Sequence, residues 1–181
     1  MGTKVRVAQE SDLTGLKTLL DEFAQSHPSK DRERSIESYR KAYFGDNPTA
    51  EVIVAERNGE IVGTIQWHMM YDMFWCKYHA HPEWFYVREQ NRGSGICFSL
   101  FAFLCDRVRE CGGVAVYAFA NENTARLMER ISYGSGENSF YHLSCEAFHR
   151  IADLSGKPAK EIVANLPAKE LNKVERELED S

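Results

Sequence analysis

The segment with the clearest chemical potential is Gln90-Asn91-Arg92-Gly93-Ser94-Gly95-Ile96-Cys97. Glycines let a backbone approach an anion closely, and the exposed N–H groups and dipole of a helix N-terminus favour negative charge. Arg92 adds a fork of donors. Taken alone, Arg-Gly-Ser-Gly equally suits a tight loop that merely needs glycine. It is not a nucleoside triphosphate loop, because no Gly-Lys-Ser/Thr follows. It is not a dinucleotide fingerprint either, because Cys97 and Phe98 stand where a third glycine would have to come. Upstream, Glu83 heads a short aromatic strand. Partly buried among Trp84 and its neighbours, its carboxyl would have a pKa raised toward neutral and would suit a general base; the plain alternative is a solvated strand-end glutamate. His68, His79 and His81 are further bases, although histidines in aromatic segments more often pack as hydrogen-bonded core groups. Cys76-x-x-His79-x-His81 has zinc-like ligand types but no fourth ligand at a sensible spacing, so no metal is expected. Cys97 has no histidine near it in sequence to make it a nucleophile.

The elements that must hold these groups read as follows. Residues 3–8 alternate polar and apolar like a half-buried strand. Ser11-Asp12 offers an N-cap for a helix carrying Leu13, Leu16, Leu20 and Phe23, and a more polar helix is predicted over about 32–44. Val52–Ala55 and Ile61–Ile65 flank Asn58-Gly59, a hairpin signature. Residues 67–84 are crowded with Trp, Met, Tyr, Phe and His and show no clear period; Pro82 is read as a break or a strand start. The strand Trp84–Val87 leads into the glycine turn, and the turn opens a helix from about Gly95 to Glu110 that is apolar around most of its girth. Gly112-Gly113 ends it. A strand at 114–119, a short helix capped by Asn121 and a last strand at 140–143 follow. Residues 1–150 thus read as one mixed α/β domain of the α+β type, with a mostly antiparallel central sheet flanked by helices. Residues 151–181 read as a helical C-terminal extension, with Leu171, Val174 and Leu178 in a narrow stripe.

With 181 residues the chain can bury a core without disulfides. Its five cysteines form no CxxC pair, and the N-terminus has no apolar signal block, which together predict free thiols and a cytoplasmic setting. No apolar stretch is long enough to cross a bilayer, so no membrane partner is expected. A net charge of −5 argues against a nucleic-acid-coating surface.

The stretch from Phe85-Tyr86-Val87 to Arg92-Gly93-Ser94-Gly95-Ile96 resembles the acetyl-CoA-binding motif of the GNAT superfamily of N-acetyltransferases: a strand ending in Val, then Gln/Arg-x-x-Gly-x-Gly/Ala opening a helix. Cys97 occupies the final Gly/Ala position, where its side chain would crowd a pyrophosphate. Downstream, Asn121-Glu122-Asn123-Thr124-Ala125-Arg126-Leu127-Met128-Glu129-Arg130-Ile131-Ser132-Tyr133 is similar to the family's Asn-x-x-Ala-x-x-Leu-Tyr-Glu-Lys-x-Gly-Phe segment. Two motifs in order are more specific than either alone, and the resemblance spans residues 3–145.

The resemblance implies direct attack of a neutral amine on the thioester of acetyl-CoA, a co-substrate, within one ternary complex. It implies that Phe85, Tyr86 and Val87 line the pantetheine arm, with backbone hydrogen bonds from Phe85 and Val87. Arg92, Gly93, Ser94, Gly95, Ile96 and Cys97 would hold the pyrophosphate, and Asn121 would contact the cofactor arm. Met128 stands where many members have a tyrosine, and a thioether donates no proton. Tyr133 is then the candidate acid, with Tyr141 or a water as substitutes and a core role as the alternative for Tyr133. Glu83 remains the candidate base. The acceptor amine is a small molecule, a protein amine or an aminoacyl-tRNA; nothing in the sequence chooses. The aromatic and Met cluster at 67–84 is read as part core and part acceptor pocket, with an interface in a homodimer as the other use of such residues. The competing functions are an acyl-CoA-binding protein with weak or no catalysis, favoured by Met128 and Cys97, and a nucleotide-binding module, which leaves the Asn121 segment unexplained.

Overall fold

A computed structural model describes residues 2–25, 35–74, 76–119 and 140–144. Six strands are hydrogen-bonded in chain order: β1 (Lys4–Val7), β2 (Glu51–Arg57), β3 (Glu60–Asp72), β4 (Lys77–Val87), β5 (Gly113–Phe119) and β6 (Phe140–Ser144). The β1–β2, β2–β3 and β5–β6 pairs are antiparallel and β4–β5 is parallel, so the sheet is mixed and mostly antiparallel, as expected. The helices are α1 (Leu13–Gln25), α2 (Ile36–Phe44) and α3 (Ile96–Glu110). The chain divides into two compact units, Met1–His68 with Glu83–Phe103, and Met69–Pro82 with Leu104–Ser181.

In the first unit the Asn58-Gly59 hairpin forms as its sequence demands. Both residues have positive φ, 55° and 81°, the pair that a tight hairpin turn needs to match strand twist. Just past the turn, Glu56 pairs with Ile61 while Ala55 pairs with Gly63, so the β3 side carries one extra residue as a bulge. Beyond it, Thr64 and Gln66 face the same side as their partners Val54 and Val52. That face packs on Leu16 and Leu19 of α1, with Tyr43, Phe44 and Tyr86 against the same cluster. Gly63 and Ile65 face the opposite side, toward α3. A Cβ at Gly63 would meet Ile96 and Leu100 at 3.2 Å, which shows how closely β3 and α3 approach.

Three expectations are corrected here. Ser11-Asp12 does not cap α1: residues Glu10–Asp12 form a 3₁₀ turn, and Asp12 reaches back to accept from the Gln9 amide at 2.7 Å. Arg6 also grips Asp12, through donors at 2.6 and 2.9 Å, and this holds the carboxyl below its ordinary pKa. The second helix starts at Ile36 with Ser35 as its cap, the hydroxyl accepting from the Ser38 amide at 3.0 Å. Pro82 neither breaks nor starts a strand but sits inside β4. The reason is local: the β4–β5 ladder covers only Tyr78 to Ala80 on β4, and a proline without an N–H is tolerated where a ladder has ended.

In the second unit, Gly112, with φ of 79°, ends α3, and Gly113 opens β5. A Cβ at Gly113 would lie 2.6 Å from Val108 Cγ1 and 3.0 Å from Met69 Cε, both inside a packed region. Gly113→Ala is therefore expected to destabilise the protein by about 1–3 kcal/mol through overpacking, lowering the midpoint of thermal unfolding by about 3–10 °C. An unchanged melting curve would mean that the two side chains move aside without cost. The short helix predicted after Asn121 and the helical extension predicted over 151–181 fall outside the described residues. Among the described residues no helix is long and apolar enough to cross a membrane.

Candidate active site

The turn between β4 and α3 is braced before any ligand arrives. Arg88, at its start, donates its amide to the Val62 carbonyl at 2.9 Å. Its guanidinium binds Glu22 on α1 at 2.9 Å and Glu60 on β3 at 3.3 Å. Glu89–Asn91 make a 3₁₀ turn, and the Ser94 hydroxyl donates to the Asn91 carbonyl at 2.6 Å. Gly93 and Gly95 follow with φ of 75° and 83°, in the left-handed region that side chains resist. The space beside Gly93 is open, with no atom within 4 Å of where a Cβ would be. The first α-helical bond after the turn runs from the Ser99 amide to the Gly95 carbonyl, so the amides of Gly95, Ile96 and Cys97 precede any intrahelical acceptor. Amides that precede the helical ladder, a helix dipole and an open glycine face suit an anion of pyrophosphate type.

Arg92 has a different place from the one its charge suggests. Its Nε donates to the Val87 carbonyl at 3.0 Å, and its guanidinium lies over the Tyr86 ring, 5.6 Å from the centroid. It thus ties the turn to the end of β4, and one lone pair of the Val87 carbonyl is engaged within the protein. Tyr86 turns its ring to α1, edge-on to Phe23 at 5.6 Å, and Phe85 turns to Phe101 on α3 at 5.1 Å. The side chains of Tyr86 and Phe85 thus pack against α1 and α3. Burial pushes the Cys97 thiol up to about 12, which disfavours the thiolate that a nucleophile needs.

Glu83 differs from its expected environment. Its side chain is 47% exposed, so it is not desolvated among aromatics. Instead it is held by polar groups of β3: Gln66 Nε2 donates to Oε2 at 3.2 Å, and His68 Nδ1 lies 3.4 Å from Oε1. Gln66 in turn accepts at Oε1 from the Tyr43 hydroxyl on α2, at 2.6 Å. These contacts reveal a break in the pleat. Trp84 packs edge-on to Phe23 of α1 at 5.3 Å, and Glu83 reaches Gln66 on the same α1–α2 face. Neighbouring residues of a regular strand point to opposite faces, so β4 slips by one residue between Glu83 and Trp84, the signature of a bulge. A bulge leaves a backbone group out of the ladder and re-aims it.

Of the other candidates, His79 is buried, with its ring 4.2 Å from that of Tyr117, in a packing role. Cys76 is exposed in the β3–β4 turn with a positive φ of 53°, its Sγ directed at the Met73 carbonyl. Asn121 and Tyr133 lie outside the described residues. Sequence reasoning missed Tyr43 and Gln66; the available signal was a glutamine set into the apolar run Ile61–Trp67, where a buried-sheet pattern has little use for an amide.

The chain belongs to the acetyltransferase (GNAT) family, whose profile matches residues 16–133, more than half its length. Solved structures of that fold superpose on it. Ribosomal-protein-alanine N-acetyltransferase from Brucella melitensis biovar Abortus 2308 matches with a TM-score of 0.63 at 20% identity, over 75% of this chain and 94% of that one. Glucosamine-6-phosphate N-acetyltransferase from Arabidopsis thaliana matches with a TM-score of 0.60 at 20% identity, over 75% and 95%. An aminoglycoside acetyltransferase from an uncultured soil metagenomic sample, solved with sisomicin, matches with a TM-score of 0.57 at 20% identity, over 67% and 80%. No relative among curated proteins matches its sequence.

Proposed function

We propose that the protein transfers the acetyl group of acetyl-CoA to an amine, with Glu83 taking the proton from the amine. The observation that carries this reading is the unit formed by β4, the Gly93–Gly95 turn and the first turn of α3. It joins the end of β4 to a glycine turn with positive φ at Gly93 and Gly95 and to amides that precede the helical ladder of α3, a combination suited to a pyrophosphate. Acetyl-CoA, when bound, supplies an activated acyl group. The residues of the chain do the rest. The turn amides would hold the phosphates and the β4 backbone would align the arm, and a backbone N–H of β4 near the reacting end would serve a developing oxyanion as a fixed donor. Glu83, half-exposed and held at Oε2 by Gln66, is accessible to an incoming amine, and a carboxylate is a group that can accept its proton.

The similar structures are named for three kinds of amine, on a peptide, an amino sugar phosphate and an aminoglycoside, and these make the first acceptor panel. The test is calorimetric titration of acetyl-CoA and CoA, followed by thiol-release assays on a peptide with N-terminal alanine, glucosamine 6-phosphate and sisomicin. Micromolar binding with turnover on any one supports the reading. Absence of acetyl-CoA binding overturns it, and binding with no thiol release on a broad amine panel points to a protein that keeps the acyl-CoA site for binding alone.

A further inference from the structure

The hydrogen bonds around Glu83 have a fixed direction. A carboxylate accepts only, so the Gln66 nitrogen must face it, and this turns Gln66 Oε1 toward Tyr43. An amide oxygen also accepts only, so the Tyr43 hydroxyl must donate. Burial is the main reason that hydroxyl keeps its proton, with Tyr39 and Glu83 adding to it, and its pKa is raised accordingly. Tyr43 is itself held: its ring stacks on Tyr39 at 5.9 Å with an interplanar angle of 8°, and packs edge-on to Phe44. Each member thus has one available orientation, and the chain runs from the packed side of α2, through β3, to a half-exposed carboxylate on β4.

We infer that Tyr43 and Gln66 are positioning residues that fix the Glu83 carboxylate for the acceptor amine, an assignment that rests on Glu83 being the base. An exposed glutamate samples several rotamers, and holding one oxygen leaves the rest of the carboxylate at a set angle to the substrate. The order of the chain matters. Tyr43 acts on Glu83 only through Gln66, because without its hydroxyl the amide loses the donor that anchors its oxygen and is freer to swing its nitrogen away from the carboxylate.

The test is a double-mutant cycle of Tyr43→Phe and Gln66→Met, both close in volume to the native residues, assayed on the best acceptor of the panel above. Gln66→Met is expected to lower kcat about tenfold or more, and Tyr43→Phe by about threefold to tenfold, with the KM for acetyl-CoA unchanged. The double variant should be no worse than Gln66→Met alone, because members of a serial chain do not add. Additive losses, or a kcat that Gln66→Met leaves intact, overturn the inference. Glu83→Gln separates the two ways of failing. If it retains full turnover, the role of Glu83 falls and the inference falls with it. If it loses turnover while Gln66→Met does not, the inference falls alone. Should none of the three acceptors turn over, the side-chain amide signals of Gln66 in ¹⁵N–¹H spectra decide. They shift and exchange faster in Tyr43→Phe if the chain holds, and unchanged signals overturn it.

Discussion

Gly95→Asp is expected to weaken acetyl-CoA binding by at least about 100-fold, the equivalent of about 2.7 kcal/mol, while leaving the fold in place. Gly95 has φ of 83°, so any side chain there carries a backbone cost of about 1–2 kcal/mol. The larger effect is electrostatic. A carboxylate at the start of α3 sits where the helix dipole and the amides of Gly95, Ile96 and Cys97 would receive phosphate. It occupies those donors itself and repels the ligand with several kcal/mol at short range. The same carboxylate is a good helix cap, which offsets part of the backbone strain, so the melting curve should move by only a few degrees. Gly95→Ala is the companion measurement: it carries the strain without the charge and should lose much less affinity. Equal losses in the two variants would show that conformation, not charge, governs the turn. Undiminished binding in Gly95→Asp would place the cofactor elsewhere.

Glu83→Gln is expected to lower kcat by about 100- to 10,000-fold with the dissociation constant of acetyl-CoA unchanged. The substitution keeps the shape and can still hydrogen-bond Gln66, but an amide cannot take the proton from an ammonium. With the side chain 47% exposed, stability should change by less than about 0.5 kcal/mol, so lost turnover cannot be laid to unfolding. The split between unaltered binding and lost turnover is the readout. A kcat within about threefold of the native value would move the base to His68, whose Nδ1 lies beside the same carboxylate.

The sequence was most legible where a local rule leaves one answer. Asn58-Gly59 admits positive φ at both positions, and Gly93 and Gly95 break a strand and open a helix, so hairpin and turn both lie where their residues predict. The arm between β3 and β4 was illegible for a physical reason. Met70, Tyr71, Met73, Phe74 and Tyr78 are exposed hydrophobics, and with apolar groups turned to water as well as to the core the two-residue period vanishes. The strands there run on to Asp72 and begin again at Lys77, well beyond the predicted ends. Glu83 was found by its position at the head of a strand, but its environment was not. The expectation of burial followed from its neighbour Trp84, and the bulge sends those two side chains to one face rather than opposite faces. Tyr43 and Gln66 are 23 residues apart and meet only because α2 packs across β3, which no local pattern encodes.

Arg92 joins two parts that would read opposite ends of one long ligand. Its bond to the Val87 carbonyl at 3.0 Å and its seat on Tyr86 make the turn and the strand end behave like the jaws of a caliper on a common bar. A fragment with only the nucleotide end closes one jaw on nothing, and a fragment with only the acylated arm leaves the other jaw empty. Because remote contacts are what hold a reacting group in place, the length of an acyl-CoA bound here would become part of its recognition. Fragments should then lose rate as well as affinity.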